Sequence, residues 1–112
     1  MANALVTVAY ALLGLGFGAL GVPLALGHVP PNGTYGFRTA RTLSSPEIWY
    51  RANRIQGIDL SAAGVVIAAL TVALYFAWRA APASLLALID TGIMAAALIA
   101  VAAHGFVALR RI

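Results

Sequence analysis

Gly36-Phe37-Arg38-Thr39-Ala40-Arg41-Thr42-Leu43-Ser44-Ser45-Pro46-Glu47-Ile48-Trp49-Tyr50-Arg51-Ala52-Asn53-Arg54-Ile55-Gln56-Gly57 holds four of the chain's seven Arg and one of its three acids, between runs of almost uninterrupted apolar sequence. This reading decides the fold, because a polar island between such runs belongs at a membrane surface with membrane-crossing helices on either side. The island itself falls into two halves. Thr34 to Leu43 has no helical periodicity and reads as an ordered loop, in which Gly36 supplies backbone freedom and Arg38 and Arg41 offer planar forks suited to a carboxylate or lipid phosphate. Ser44-Ser45-Pro46-Glu47 reads as a helix start, with Ser44 and Glu47 spaced as a capping box and Pro46 in the first turn.

The spacing predicts an interfacial amphipathic helix over 46–56, with Trp49, Asn53 and Gln56 on one face and Ile48, Ala52 and Ile55 on an adjacent one. Two readings of that polar face stand together: Trp49 as an anchor in the headgroup layer with Asn53 bonding a neighbouring turn, or direct recognition of a partner. Glu47 is the only acid among the four Arg of the island, so a charge-assisted hydrogen bond from Arg38 or Arg41 is expected.

Composition agrees with a lipid environment. Of 112 residues, 62% are hydrophobic and 9% charged, whereas a soluble domain has about a quarter of its residues charged. With no cysteine, disulfide frameworks and thiolate metal sites are excluded. The net charge of +4 is carried wholly by Arg, and Arg next to apolar spans suits topology and anionic headgroups rather than nucleic acid, for which no basic stripe with interleaved aromatics exists.

Outward from the island, Ala4–Gly27 has no charged side chain and is long enough to cross a bilayer core. A cleaved signal peptide is the rival reading, supported weakly by Ala25-Leu26-Gly27 and opposed by the length of the run and the lack of a preceding Lys or Arg. Gly14, Gly18 and Gly21 line nearly one face and read as a seam for close helix packing within the chain, in preference to a homo-oligomer interface. His28-Val29-Pro30-Pro31-Asn32-Gly33 ends this span. A second span covers 58–79, a short turn follows at Ala80–Ser84, and a third span covers 84–109. The expectation is therefore an all-α integral membrane protein with three transmembrane helices in one domain, residues 1–112, its polar loop and interfacial helix occupying 28–57.

With three spans, six of the seven Arg fall on the side of the island and Arg79 alone on the other. The positive-inside rule places the island and the C-terminus in the cytoplasm of a bacterial inner membrane and the N-terminus outside.

Asp59, Asp90 and His104 are the ionisable groups within or beside the spans, and such groups are costly in lipid. Asp59 lies in the first turn of the second span, within reach of Arg54 or headgroup water. His104 is about 9 Å from the island end of the third span, while Asp90 lies in the opposite half, level with Thr71, Tyr75 and Tyr10. A proton or ion path from Asp90 to His104 would have to cover about 21 Å of one helix with no polar residue between. Local hydrogen bonds are the expected arrangement.

No nucleophile with its base, no carboxylate pair and no metal-ligand spacing is present; His28 and His104 stand alone. The chain is read as a non-enzyme with no cofactor and no metal.

Gly36-Phe37-Arg38-Thr39, then Thr42, then Ser44-x-x-Glu47-x-Trp49, then Asn53-Arg54-x-x-Gly57 resembles the signature loop of the SdpI family, named after a bacterial membrane protein that gives a toxin-producing cell immunity to its own secreted peptide. The resemblance implies an integral membrane protein conferring immunity to, or sensing, a membrane-active peptide, with these positions as the binding or signature motif. Members of the family can be twice this length. The alternative function is a small accessory or structural subunit of a larger membrane complex, packing through its Gly and Ala faces.

Overall fold

Ala2–Ala25 forms α1, whose end is set by backbone chemistry rather than by the prolines that follow. Gly27 takes a left-handed φ of 72°, its amide donates to the Leu24 carbonyl, and the His28 amide donates to the Pro23 carbonyl. That is a Schellman stop, and it needs the glycine. The computed structural model describes residues 1–112. Beyond α1 come a loop, a 3₁₀ turn at Thr42–Ser44, α2 over Pro46–Ala77 and α3 over Ala83–Leu109, with no strand.

All three helices are long and apolar enough to cross a membrane. Leu5, Leu12, Val65, Phe76, Leu88 and Ile99 point outward, the pattern of a bundle solvated by acyl chains. Only a thin seam is buried, and glycine makes it possible. α1 and α2 run antiparallel in such close contact that a Cβ on Gly64 would lie 2.3 Å from the Gly14 carbonyl oxygen, and one on Gly57 would lie 2.4 Å from the Ala25 nitrogen. Ser61 adds a hydrogen bond to the Gly18 carbonyl, 3.0 Å long. Without a hydrophobic force between helices in lipid, this backbone-to-backbone packing and the hydroxyl bond hold the pair together.

One expectation changes here. The segment 46–56 is not a separate interfacial helix, because α2 is one continuous helix of 32 residues, about 48 Å long against a hydrocarbon core of about 30 Å. Gly57, which falls between the two expected helices, sits inside it. Glycine costs a helix interior about 1 kcal/mol relative to Ala, and here it is retained because the side-chain-free surface admits α1. α2 is therefore longer than a bilayer core requires, and its first three turns serve as a rigid post for the loop.

The start of α2 also differs in detail. Ser45, not Ser44, is the N-cap, its hydroxyl accepting from the Ile48 amide at 3.2 Å, so Glu47 stands in the first turn with no partner in a capping box. The reciprocal arrangement occurs one turn earlier. The Thr39 amide donates to the Thr42 hydroxyl at 2.7 Å and the Thr42 amide to the Thr39 hydroxyl at 3.1 Å.

At the opposite end of the bundle, Asn3 ties the start of α1 to the α2–α3 turn by donating to the Ala81 carbonyl at 2.5 Å. Arg79 there lies over the Tyr75 ring, 5.1 Å from its centroid. Loop and C-terminus thus share one end, N-terminus and turn the other.

Candidate functional site

The loop between α1 and α2 begins with Asn32, which builds its own turn. Its carbonyl oxygen accepts the Thr34 and Tyr35 amides at 2.9 and 2.7 Å, and its amide group donates to the Pro30 and Tyr35 carbonyls. This leads the chain onto the projecting part of α2.

There Asn53 acts as a strand would. Its oxygen accepts the Phe37 amide at 2.6 Å, and its NH2 group donates to the Phe37 carbonyl at 3.3 Å and to the Trp49 carbonyl at 3.0 Å. A buried polar side chain is tolerable when so fully paired, and Asn53 is 1% exposed. Gly36, at φ 120°, lies flat over the Trp49 ring; a Cβ there would come within 2.9 Å of Trp49 Cη2 and 2.8 Å of the Asn53 oxygen. Trp49 is wholly buried and its indole nitrogen donates to the Val29 carbonyl at 2.8 Å.

The other helices hold the loop as well. The Tyr35 hydroxyl donates to the Leu20 carbonyl of α1, and burial pushes its pKa above the usual phenol value. Phe37 packs edge-to-face on Phe106 of α3, with centroids 5.2 Å apart. Arg41 donates to the main-chain oxygen of Ile112.

The motif positions thus separate by burial. Thr42, Trp49, Asn53 and Gly57 are buried and Gly36 and Thr39 partly so, and they build the loop; Arg38, Ser44, Glu47 and Arg54 face outward. Trp49 is neither an anchor in the headgroup layer nor a recognition surface, since no part of it is accessible. Glu47 forms no ion pair: Arg38 donates instead to the Gly33 carbonyl, and Arg41 to the chain's last residue. Each guanidinium is thus turned to a main-chain acceptor, one in the loop and one after α3, and away from the carboxylate.

Beneath the loop lies a cavity of 370 Å³ between α1 and α3, roofed by Tyr35 to Arg38 and backed by Gln56 and Leu60. Gln56 Oε1 is buried without a hydrogen-bond donor, turned onto Gly105, where a Cβ would lie 2.2 Å away. Sequence reasoning placed Gln56 on the Trp49 face but gave it no part in a site; the Gln56–Gly105 fit joins α2 to α3 across many residues and leaves no local signature. The aromatic residues Tyr35 and Phe37, inside an otherwise polar loop, were the available signal for its docking.

The three acidic or basic groups of the spans are also placed. Asp59 meets His104 Nδ1 rather than Arg54, tying α2 to α3. The side chains are 24% and 58% exposed, so the pair lies at the surface of the bundle. Asp90 is fully buried, yet neither of its oxygens meets a hydrogen-bonding group of the protein, so the expected local bonds do not form. Its neighbour Thr91 bonds the Tyr10 hydroxyl instead, at 2.5 Å. The pairing of His104 with Asp59 leaves Asp90 and His104 unconnected.

A family model described as the SdpI/YfhL protein family matches residues 28–109, which takes in the loop, α2 and α3. No curated protein and no solved structure matches the chain.

Proposed function

Given that this chain belongs to the SdpI/YfhL protein family, we propose that it protects a bacterial cell against a membrane-active peptide, or reports the peptide's presence, through the loop at one face of the inner membrane. The observation that carries this reading is the division of the motif: its buried members make a rigid loop, and its outward members, Arg38, Glu47 and Arg54, form a polar surface at the end of a membrane bundle. Arg38 spends one nitrogen on the Gly33 carbonyl, but most of the charge on this surface has no structural work. It suits contact with a peptide or a regulator. The role proposed is binding, without catalysis.

Expression of the chain in a bacterium sensitive to a secreted membrane-permeabilising peptide is expected to raise survival, and Glu47→Gln with Arg54→Gln to lower it without lowering the amount of protein in the membrane. Unchanged survival on expression in every sensitive strain tested would remove the reading. The accessory-subunit alternative is supported by Gly16 and Gly92, whose outward faces are open; purification from the native membrane with one large partner in fixed ratio would favour it.

We further propose that the loop is cytoplasmic, on the strength of six Arg at its end of the bundle against Arg79 at the other. Single cysteines at Thr34 and Ala80, both exposed, are expected to react oppositely with an impermeant thiol reagent in intact cells, Ala80→Cys from outside. Labelling of Thr34→Cys from outside would invert the topology.

A further inference from the structure

We propose that the cavity under the loop is a binding site for one anionic phospholipid of the leaflet on the loop side, with an acyl chain between α1 and α3 and the phosphate at Arg38. This does not rest on the peptide reading.

The walls decide the class of ligand. Phe17, Leu20 and Leu24 of α1 face Leu98 of α3, with Leu60 behind, and α1 and α3 touch each other least of the three helix pairs, which leaves this side open toward lipid. A chain of methylenes is the surrounding solvent and fits such a slot.

The roof decides the headgroup. Arg38 lines the cavity and uses one nitrogen on the Gly33 carbonyl, leaving most of its donors free. The Tyr35 hydroxyl is already committed to Leu20. Because Gln56 Oε1 is turned away and buried, what that amide offers the cavity is its NH2 group. The side chains of Arg38 and Gln56 therefore offer donors to the cavity, one of them permanently charged, and no acid lines the space. A phosphate with ester carbonyls below it offers only acceptors in the same order, along an axis that a bilayer lipid already has. The occupant is thus an amphiphile with its anion at the loop and its chain in the slot.

The test uses the whole chain purified in detergent, with phosphatidylglycerol and phosphatidylcholine of equal chain length as probes and retained lipid counted by native mass spectrometry. One phosphatidylglycerol per chain is expected, with phosphatidylcholine retained less. Arg38→Gln should lower retention of phosphatidylglycerol about tenfold, the loss of one charge-assisted contact, while Arg38→Lys restores part of it. Leu98→Trp should fill the slot and lower retention as well; Leu98→Phe serves if the larger ring prevents folding. Arg51→Gln, an exposed cation that does not line the cavity, should change nothing. Equal losses from Arg51→Gln and Arg38→Gln would mean diffuse surface attraction and overturn the site. So would equal retention of both lipids by wild type and Arg38→Gln, or displacement by inorganic phosphate alone, since the acyl chain would then contribute nothing.

Discussion

Gly64→Val is expected to separate α1 from α2 and to lower stability in detergent by about 3 kcal/mol or more, beyond the usual 1–3 kcal/mol of overpacking. The reason is what a Cβ would meet: the Gly14 carbonyl oxygen at 2.3 Å, the Gly18 nitrogen at 2.5 Å and the Gly18 Cα at 2.7 Å. All three are main-chain atoms of a helix, so none can step aside as a flexible side chain would. α1 has to move as a body, and in doing so it loses the Ser61 bond to the Gly18 carbonyl and the contacts of Gly14, Gly21 and Gly57 together. Water would press apolar faces back together, but lipid does not. The comparison is Gly16→Ala on the same helix, where nothing lies within 4 Å of the added carbon; there the better helix propensity of Ala is expected to leave stability unchanged or raise it by up to about 1 kcal/mol. Thermal unfolding of the three proteins in one detergent reads both effects. Equal behaviour of Gly64→Val and Gly16→Ala would mean that the glycine seam is not what joins α1 to α2.

Asn53→Leu is expected to undock the loop while leaving the helices formed. The leucine keeps the branched outline and the number of side-chain heavy atoms, with bulkier methyl groups in place of the amide. The change strips partners from the Phe37 amide, the Phe37 carbonyl and one lone pair of the Trp49 carbonyl, and a buried main-chain group left unpaired costs about 1–3 kcal/mol. The loop escapes that cost by lifting into water, which takes Gly36 off the indole ring. In a Trp78→Phe background, Trp49 emission should shift to the red and become quenchable by acrylamide, where the parent is neither. A buried, unquenched Trp49 in Asn53→Leu would show that Asn53 does not hold the loop. Asn53→Asp tests the same bonds differently: it keeps the acceptor for the Phe37 amide but loses both donations and buries a charge, so it should be at least as disruptive.

Much of this was legible in the chain, for identifiable reasons. The three spans follow from length and apolar content, which lipid makes nearly sufficient. A cap at the start of α2 follows from Ser-Ser-Pro-Glu, although the choice of Ser45 over Ser44 depends on where the 3₁₀ turn leaves the backbone. Gly57 falls between the expected helix at 46–56 and the span at 58–79, because a glycine after a polar helix gives no local sign of continuing it; the approach of α1 makes it an interior residue. The same holds for Trp49. An indole on an amphipathic segment beside Arg reads as a headgroup anchor until the loop folds over it, and that loop is drawn in by Asn53 from 16 residues away.

The ionisable groups show the limit of depth arguments. Helix rise places His104 and Asp59 near one level, yet their pairing also requires that both side chains face the α2–α3 groove, which is a matter of packing. Asp90 defeats local reasoning altogether, since of the groups at its level Tyr10 pairs with Thr91 and Thr71 donates to the Ala68 carbonyl of its own helix. Glu47 went wrong in the opposite way. Counting charges suggested a bridge to Arg38 or Arg41, but main-chain oxygens take both, one from Gly33 in the loop and one from Ile112 after α3.

The central claim is that the motif builds an ordered loop clamped to the helices, and the most direct measurement is residue-level hydrogen exchange of the wild-type chain in nanodiscs. The Phe37 and Thr39 amides lie outside any helix, and their partners are side chains, Asn53 and Thr42. Protection of both, well beyond that of the neighbouring Ala40 amide and lost at Phe37 in Asn53→Leu, is the predicted result. Exchange of Phe37 and Thr39 as fast as an unstructured peptide, with α2 still protected, would contradict the account.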